Sequence, residues 1–334
     1  MSSFKYLDLC SGIGGFHFGL DELECVLACD LNKDCRETYY RNFNMTSLSD
    51  IHDIKPNNLP EYDILCAGFP CQSFSSAGLK KGWDDPRANV YVKIIEIIRE
   101  TRPKIVLLEN VKNLLTIDSG NVIQKIKQDF DELRYNMSYQ VLNIKNFNIP
   151  QNRERVFMIA INKDYIDRIF DFTKLRRKKA TPTICDFLED NIEHLYLSED
   201  SYKLLDDDIK KEQKSGLIFS GYLNANLRKK GAKENTEHLS RVHKQPNRIY
   251  HIDGVHPTLS SSEISGRYYI QDNIGIRKMT LNECYKIMGF PDTFIKHTKN
   301  NQAYRQIGNS VCPKIINSIQ RELKRQGFIS SPNH

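Results

Sequence analysis

The residue best placed to do chemistry in the 334-residue sequence is Cys71, in the run GFPCQSFSSAG at residues 68–78. The apolar segment YDILCA precedes this run and is typical of a buried strand, so the Pro-Cys-Gln turn places the thiol at a strand end. A lone cysteine is more often a small, inert core residue. The serines, Pro70 and Gly78 make a poor core segment, so we interpret the run as a loop that carries a covalent nucleophile.

One carboxyl group and two guanidinium groups are expected near this thiol. Glu109 ends the apolar segment KIVLLEN and should emerge at the same sheet edge, where partial desolvation raises the pKa of a carboxyl group toward the range useful for proton donation. Arg153 and Arg155, in QNRERVF, are two residues apart at a strand start, so both should project on one face. They could hold a phosphate, a base carbonyl oxygen or the Glu109 carboxylate. A salt-bridged glutamate and a solvated strand start are the alternatives.

A glycine-rich turn in DLCSGIGGF, residues 8–16, follows the first strand segment and opens a helix. Gly12, Gly14 and Gly15 would let a ligand approach the backbone closely, and Asp30 ends the second strand segment, where it could hydrogen-bond a ribose diol. The GxGxxG pattern is not met and no Lys-Ser/Thr pair follows, which favours a nucleoside without phosphates over a dinucleotide. A structural tight turn and a solvated strand-end aspartate are the alternatives.

The elements that must position these groups alternate short β-rich runs with amphipathic stretches, as in βαβ units. Strands are predicted in KYLDL, ECVLACD, YDILCAG, KIVLLEN and RVFMIAI, and helices in NVYVKIIEIIRETR and NVIQKIKQDFDEL. The predicted fold class is α/β, with a doubly wound, mostly parallel sheet and ligands beyond the carboxyl ends of its strands.

The predicted domain organisation has three segments. Residues 1–172 form a catalytic and cofactor-binding domain, and residues 173–275, with mixed charge and little periodicity, form a smaller irregular lobe. Residues 276–334 return to complete the first domain: a regular pattern resumes in TLNECYKIMGF, and a final helix is predicted in PKIINSIQRELKRQ.

Composition narrows the functional classes only modestly. Lys and Arg total 48 against 42 Asp and Glu, and the resulting charge of +6 suits a polyanionic partner. No apolar run of about 18 residues and no signal region is present, so an intracellular protein without a membrane partner is expected. The nine cysteines form no C-x-x-C pair, and a zinc site built from Cys25, Cys29, Cys35 and a histidine has the wrong spacing, so no metal is predicted.

Taken in order, these runs resemble the DNA (cytosine-5) methyltransferase family, of the monospecific bacterial restriction-modification type. The matching motifs are DLCSGIGGF, GFPCQSFS, ENV, QNRER and YRQIGNSV, the last at residues 304–311. The resemblance covers most of residues 5–161 and 256–316. It implies the class I S-adenosylmethionine-dependent methyltransferase fold, with the unmatched lobe as the variable target-recognition domain.

The resemblance also implies roles for the reactive residues. Cys71 would attack carbon 6 of a flipped-out cytosine in double-stranded DNA, Glu109 would hydrogen-bond or protonate ring nitrogen 3, and Arg155 would contact the O2 carbonyl, with Arg153 as the other member of the arginine pair. Carbon 5 would then accept the methyl group of S-adenosylmethionine. A thiolate must add first because cytosine carbon 5 is a poor nucleophile, and extrusion exposes the face of the ring.

Further positions follow from the same resemblance. The implied cofactor-binding residues are Asp8, Gly12, Gly14, Gly15, Asp30, Leu31, Asp50, Ile51, Pro70, Asn309 and Ser310. The implied DNA-binding residues are Gln72, Ser75, Ser76 and Thr258. The chain departs from the family at Cys10, where phenylalanine is usual, at Leu31, where a larger aromatic is common, and at Asp30, where glutamate is commoner. These departures predict a lower cofactor affinity than is typical.

Three other functional classes are less well supported by the sequence. The Cys-Phe-Thr signature of the family branch that modifies transfer RNA is absent from the sequence, which argues against RNA methylation. A catalytically inactive DNA-binding protein would not need intact Cys71 and Glu109. An oxidoreductase would leave the Pro-Cys-Gln loop unexplained. A monomeric, cytoplasmic bacterial enzyme is expected, with any cognate restriction endonuclease acting separately. Base contacts are expected in the lobe, in FSGYLNANLRKKG and HLSRVHKQPNRIY.

Overall fold

The computed structural model describes residues 4–70, 90–177, 181–190, 192, 195–224 and 235–330. The chain forms two compact units. Unit 1 consists of residues 1–143, 154–177 and 310–334, and unit 2 consists of residues 144–153 and 178–309. Among the described residues, no helix has the length and apolar character needed to cross a bilayer.

Unit 1 contains a six-stranded sheet. The first seven strands of the chain are β1 (Lys5–Leu9), β2 (Glu24–Cys29), β3 (Ile64–Gly68), β4 (Ile105–Val111), β5 (Tyr135–Asn143), β6 (Gln151–Asn152) and β7 (Glu154–Asn162). The sheet has the order β2-β1-β3-β4-β7-β5, with β6 excluded. Strands β1 to β4 pair in parallel, and β7 lies antiparallel to both β4 and β5. The predicted doubly wound, mostly parallel sheet is confirmed.

The helices follow the predicted alternation. They are α1 (Gly15–Gly19), α2 (Lys33–Phe43), α3 (Val90–Thr101), α4 (Asn121–Glu132), α5 (Leu281–Lys286), α6 (Asn300–Asn309) and α7 (Pro313–Arg325). Helix α3 buries Ile94, Ile97 and Ile98 in the same core as the sheet residues Leu65 and Leu108, as expected for an amphipathic helix laid on a sheet. Helix α7 begins with proline at its first position, as predicted from its sequence.

Unit 2 contains a second, smaller sheet. Its strands are β8 (Tyr202–Leu204), β9 (Phe219–Leu223), β10 (Arg248–His251), β12 (Tyr269–Gln271) and β13 (Ile276–Lys278), in the order β13-β12-β10-β9-β8. Strand β11 (His256–Pro257) pairs instead with β6. The small core on the five-stranded sheet contains the buried residues Ile249, Tyr269 and Ile276. Short strands and a small core explain why this region shows little periodicity in the sequence.

The five predicted strands of unit 1 are all present, and their ends differ from the predicted ends by at most two residues. Strand β5, with the sequence YNMSYQVLN, was not predicted. It is the last strand of the sheet, and seven of its nine residues are only partly buried. An edge strand of this kind lacks the continuous apolar run that marks a strand buried on both faces.

The compact units divide the chain differently from the predicted boundary at residue 276. Residues 276–309 belong to unit 2, and the return to unit 1 begins at Ser310. Strand β13 pairs with β12, and the buried Arg277 guanidinium forms hydrogen bonds of 2.9 and 2.8 Å to the Glu283 carboxylate at the start of α5. The regular pattern that resumes at Thr280 contains α5, but local periodicity does not specify which core a helix joins.

Candidate functional site

The carboxyl ends of β1 to β4 bring several predicted site residues to one edge of the unit 1 sheet. Strand β1 ends just before the glycine-rich turn, β2 just before Asp30, β3 at Gly68, and β4 just after Glu109. Parallel pairing places Gly68 directly opposite Glu109. Functional groups from distant parts of the sequence therefore share this edge, as expected for a doubly wound sheet.

The three glycines of the turn differ in what an added Cβ atom would contact. Gly14 has φ +89°, and a Cβ there would overlap the Phe43 ring. A Cβ on Gly15 would overlap the Val311 carbonyl oxygen, so this glycine permits close packing against the chain before α7. Gly12 has φ +55°, but no heavy atom lies within 4 Å of its Cβ position. Gly12 thus faces open space, which fits a bound ligand.

Asp30 is held by backbone amides beside this turn. The amides of Gly12 and Asn32 each donate a hydrogen bond of 2.8 Å to its carboxylate. Burial raises the pKa of Asp30, and these two amide hydrogen bonds act in the opposite direction. The neighbouring Leu31 is 76% exposed, so its side chain is available to pack against an apolar face of a ligand.

The segment that leads to Asp50 and Ile51 is hydrogen-bonded through its backbone to the end of β2. The Asp30 amide donates to the Leu48 carbonyl at 3.0 Å, and the Asp50 carboxylate accepts from the His52 amide at 2.9 Å. Ile51 is buried in the core of unit 1. The structure therefore brings Asp30 and Asp50, 20 positions apart in the sequence, into one region.

Asp8 has a different environment from the other predicted cofactor residues. Its side chain is fully buried, and the Tyr39 hydroxyl donates a long hydrogen bond of 3.4 Å to Oδ2. Burial raises the pKa of Asp8 to about 8, against the effect of the Tyr39 hydrogen bond. Because it has no accessible surface, Asp8 can influence a ligand only through neighbouring groups, and this differs from the direct contact implied by the family resemblance.

Glu109 and Arg155 form a partly enclosed ion pair at the same sheet edge. The Arg155 Nε lies 3.3 Å from Glu109 Oε1, and the two side chains are 16% and 10% exposed. Antiparallel pairing of β4 with β7 places Val111 opposite Arg155, which brings the guanidinium to the carboxylate. A Cβ on Gly68 would lie 3.7 Å from Glu109 Oε2, so the carboxylate faces the strand end that leads to Cys71.

Asn110 is a site residue that we did not single out from the sequence. Its Nδ2 donates to the Phe69 carbonyl at 2.9 Å, and its Oδ1 accepts from the Val111 amide at 2.8 Å. The buried amide therefore anchors the backbone two residues before Cys71. Its position in the ENV run was the available signal.

The predicted nucleophile itself lies outside the described residues, as do Gln72, Ser75 and Ser76. Pro70 is the last described residue before them and is exposed. The described residues Gly68, Phe69 and Pro70 lead directly to Cys71. Together with the Glu109–Arg155 ion pair, they support a site at this position.

Arg153 belongs to unit 2 and makes different contacts from Arg155. Its buried guanidinium donates to the carbonyls of Leu259 at 3.2 Å and Gly308 at 3.1 Å. The expectation that both arginines project from one face of one strand is wrong, because β6 ends at Asn152 and β7 begins at Glu154. Arg153 instead fixes the backbone at Leu259. The neighbouring Thr258 donates from its Oγ1 to the Asn152 carbonyl at 2.8 Å.

The two C-terminal cofactor positions lie where the chain passes from unit 2 to unit 1 in the sequence. Asn309 is exposed and is the last residue of α6, in unit 2. Ser310 is buried at the start of the returning segment of unit 1, and its Oγ donates to the Val311 carbonyl at 3.2 Å. The same carbonyl packs on Gly15, so Ser310 is connected to the glycine turn.

Residues 4–325 match the profile of the family described as C-5 cytosine-specific DNA methylase. The chain is 33% identical over 333 residues to Type II methyltransferase M.HhaI of Haemophilus parahaemolyticus, covering 96% of this chain and 93% of that protein. It is 32% identical over 331 residues to Type II methyltransferase M.DsaV of Dactylococcopsis salina, covering 96% and 85%.

Solved structures share the fold at lower sequence identity. The S. pombe Dnmt2 methyltransferase superposes with a TM-score of 0.68 at 20% identity, covering 97% of this chain and 100% of that chain. A putative DNA modification methyltransferase encoded within an E. coli prophage gives a TM-score of 0.68 at 22% identity, covering 97% and 99%. These similarities support the methyltransferase fold predicted from the sequence.

Proposed function

Because the chain belongs to the C-5 cytosine-specific DNA methylase family, we propose that it transfers a methyl group from S-adenosylmethionine to carbon 5 of cytosine within a short specific sequence of double-stranded DNA. The observation that carries this proposal is the Glu109–Arg155 ion pair, placed beside the end of the strand that leads to Cys71. A carboxyl group held in this way can give the ring the proton or hydrogen bond that addition of a nucleophile requires.

In the proposed mechanism, the Cys71 thiolate forms a bond to carbon 6 of the flipped-out cytosine, and the ring electron pair moves to carbon 5. Glu109 donates a hydrogen bond or proton at ring nitrogen 3, and Arg155 orients the Glu109 carboxyl group and contacts the O2 carbonyl. Carbon 5 accepts the methyl group. A water molecule from solvent takes the carbon 5 proton, and the electron pair of that bond re-forms the ring double bond and expels the Cys71 thiolate from carbon 6. Any proton held at ring nitrogen 3 returns to Glu109, so the aromatic ring and both side chains are restored.

The bound cofactor would supply an electrophilic methyl group on a sulfonium. The described residues of unit 1 fit a nucleoside ligand: open space at Gly12, a carboxylate held in place at Asp30, and an exposed apolar side chain at Leu31. We assign the adenosine portion to the space beside these residues and Asp50. Pro70 would line the path of the methyl group, and Asn309 and Ser310 would lie toward the methionine end.

Substitution of two neighbouring glycines should separate cofactor binding from folding. Gly12→Ala adds a methyl group where the protein leaves open space, so it should lower S-adenosylmethionine affinity about tenfold or more, with only about 1–2 kcal/mol lost from stability through its positive φ. Gly15→Ala, the matched control, should mainly lower the melting temperature, because its Cβ overlaps the Val311 carbonyl. Calorimetric titration and thermal melting measure the two effects. Unchanged cofactor affinity in Gly12→Ala would contradict the assigned site.

Unit 2 is proposed to recognise the DNA target, with Thr258 near the phosphate beside the flipped nucleotide. The protein is proposed to act as a monomer, with any cognate endonuclease as a separate protein. The buried Arg153 guanidinium fixes the backbone at Leu259, next to Thr258, and the Thr258 hydroxyl would turn its proton from the Asn152 carbonyl to the phosphate when DNA binds. Phosphate contacts of this kind position the DNA, while side chains that reach base edges determine the sequence.

Bisulfite sequencing of DNA incubated with the purified protein and S-adenosylmethionine tests the proposed function. We expect conversion-resistant cytosines at one recurring position within one short sequence, dependent on added cofactor. A parallel incubation with transfer RNA and with single-stranded DNA serves as the control for substrate class. Methylation of RNA without methylation of duplex DNA, or no base methylation at all, would refute the proposal.

A further inference from the structure

A closed loop in unit 2, formed by residues 260–268, begins two positions after Thr258. The Tyr268 hydroxyl closes its base by accepting from the Ser260 amide at 3.1 Å and donating to the Ser260 carbonyl at 3.0 Å. The Glu263 amide also donates to the Ser260 carbonyl, at 3.1 Å. Gly266 has φ +65°, and a Cβ there would overlap the Tyr304 side chain. The loop is therefore held in one conformation by its own contacts.

Within this loop, Glu263 fixes the orientation of Arg267. The Glu263 side chain is only 5% exposed, and its Oε1 accepts from the amides of Ser265 at 3.0 Å and Arg267 at 3.3 Å. Its Oε2 lies 3.1 Å from Arg267 Nε and 2.9 Å from Nη2. Burial acts to raise the pKa of Glu263, but the hydrogen bonds from Arg267 and the amides outweigh it and lower the pKa. The carboxylate thus remains charged.

The opposite edge of the Arg267 guanidinium is available to a partner. The Arg267 side chain is 48% exposed and lines a cavity of about 240 Å³ together with Gln245, Ser260 and Ser262. In the described part of the chain, its Nη1 makes no hydrogen bond. Because Nε and one side of Nη2 face Glu263, the edge formed by Nη1 and Nη2 presents parallel N–H donors in a fixed plane.

We propose that Arg267 is a specificity-determining residue that donates to O6 and N7 of a guanine in the target sequence, with Glu263 as its positioning residue. This proposal rests on the proposed function. Two parallel N–H donors match the two acceptors on the major-groove edge of guanine. Holding the side chain in place beforehand reduces the conformational entropy lost on binding.

A base edge fits this arginine better than a phosphate does. The Arg267–Glu263 pair has no net charge, and a phosphate at the outer edge would also experience repulsion from the buried carboxylate. The uncharged O6 and N7 acceptors of guanine avoid this cost. The Gln245 side chain also lines the cavity, and its Nε2 donates to the Thr258 carbonyl at 3.0 Å. The cavity is therefore connected to the residue proposed to contact the DNA phosphate.

The test compares recognition profiles of the full-length protein and its variants. A library of duplexes randomised around the mapped target is methylated and sequenced after bisulfite treatment, using wild type, Arg267→Ala, Arg267→Lys and Glu263→Gln. Arg267→Ala should reduce the preference for guanine at one position about 10- to 100-fold, with the other positions unchanged. Arg267→Lys lacks the planar fork and should recover only part of the preference, and Glu263→Gln should weaken it at the same position. Lys286→Ala removes another ion pair of unit 2, outside the cavity, and should leave the profile unchanged.

Modified substrates test the same contact from the DNA side, and Arg267→Lys replaces Arg267→Ala in this comparison if the alanine variant fails to fold. Replacing each guanine of the target in turn by 7-deazaguanine removes N7, and we expect one replacement to slow wild type while leaving Arg267→Ala unaffected. A target without guanine, insensitivity of wild type to every replacement, an unchanged Arg267→Ala profile, or an equal loss on all sequences would overturn the proposal. Absence of methylation by wild type would instead refute the proposed function.

Discussion

Replacing Cys71 by serine should abolish methyl transfer, with a loss of more than about 1,000-fold in turnover. A serine hydroxyl is a far weaker nucleophile than a thiolate, so carbon 6 would not be attacked and carbon 5 would not become reactive. Affinity for duplex DNA should change little, because the substitution alters one small side chain. Transfer of tritiated methyl groups and fluorescence anisotropy with target DNA measure the two properties.

A trapping experiment makes the Cys71 prediction specific to a covalent mechanism. In a duplex with 5-fluorocytosine at the target position, the fluorine on carbon 5 cannot leave as the proton does, so the bond between sulfur and carbon 6 should persist. Wild type should give a covalent complex resistant to denaturation, and Cys71→Ser should give none. Cys185→Ser, the same substitution at an exposed cysteine of unit 2, is the matched control and should still be trapped. Normal turnover by Cys71→Ser would refute the mechanism.

Replacing Glu109 by glutamine should lower turnover about 100- to 10,000-fold, which is the range expected when a positioned acid is removed. Glutamine keeps the size of the side chain and can still donate a hydrogen bond, but it cannot deliver a proton to ring nitrogen 3. Single-turnover methylation with saturating cofactor isolates this step from DNA binding and product release. The melting temperature should fall only moderately, because the isostere fills the space beside Gly68 and can still accept a hydrogen bond from Arg155, although it leaves the guanidinium charge unpaired.

The control for Glu109→Gln is Glu154→Gln, on the adjacent strand β7. Glu154 pairs with Lys112 at 2.9 Å, and its side chain is 43% exposed, so loss of its charge should have little effect on turnover. If Glu109→Gln retained wild-type single-turnover rates while Glu154→Gln did likewise, Glu109 would not act as the acid, and its ion pair with Arg155 would be purely structural.

Much of the candidate site could be predicted because its signals are local in the sequence. The glycine turn, Asp30 and Glu109 each follow an apolar run whose length and β-branched residues indicate a buried strand, and parallel strands bring such residues to one edge. The family resemblance then connected these runs into one site. Arg267 offered no comparable signal, since an arginine in a polar loop resembles any solvated residue until a buried carboxylate is seen to hold it.

The boundary between what was and was not predictable is clearest at the paired arginines. The sequence alone determined that QNRERVF leads into a strand and contains two guanidinium groups. Only the tertiary structure decided that Arg155 holds Glu109, through antiparallel pairing of β4 and β7, while Arg153 holds the carbonyls of Leu259 and Gly308. The physical reason is that strand formation depends on local apolar patterning, whereas the partner of a charged side chain depends on strand register and on where a strand is interrupted. The residues that decide this are distant in the sequence, 46 positions away for Arg155 and 106 and 155 positions away for Arg153.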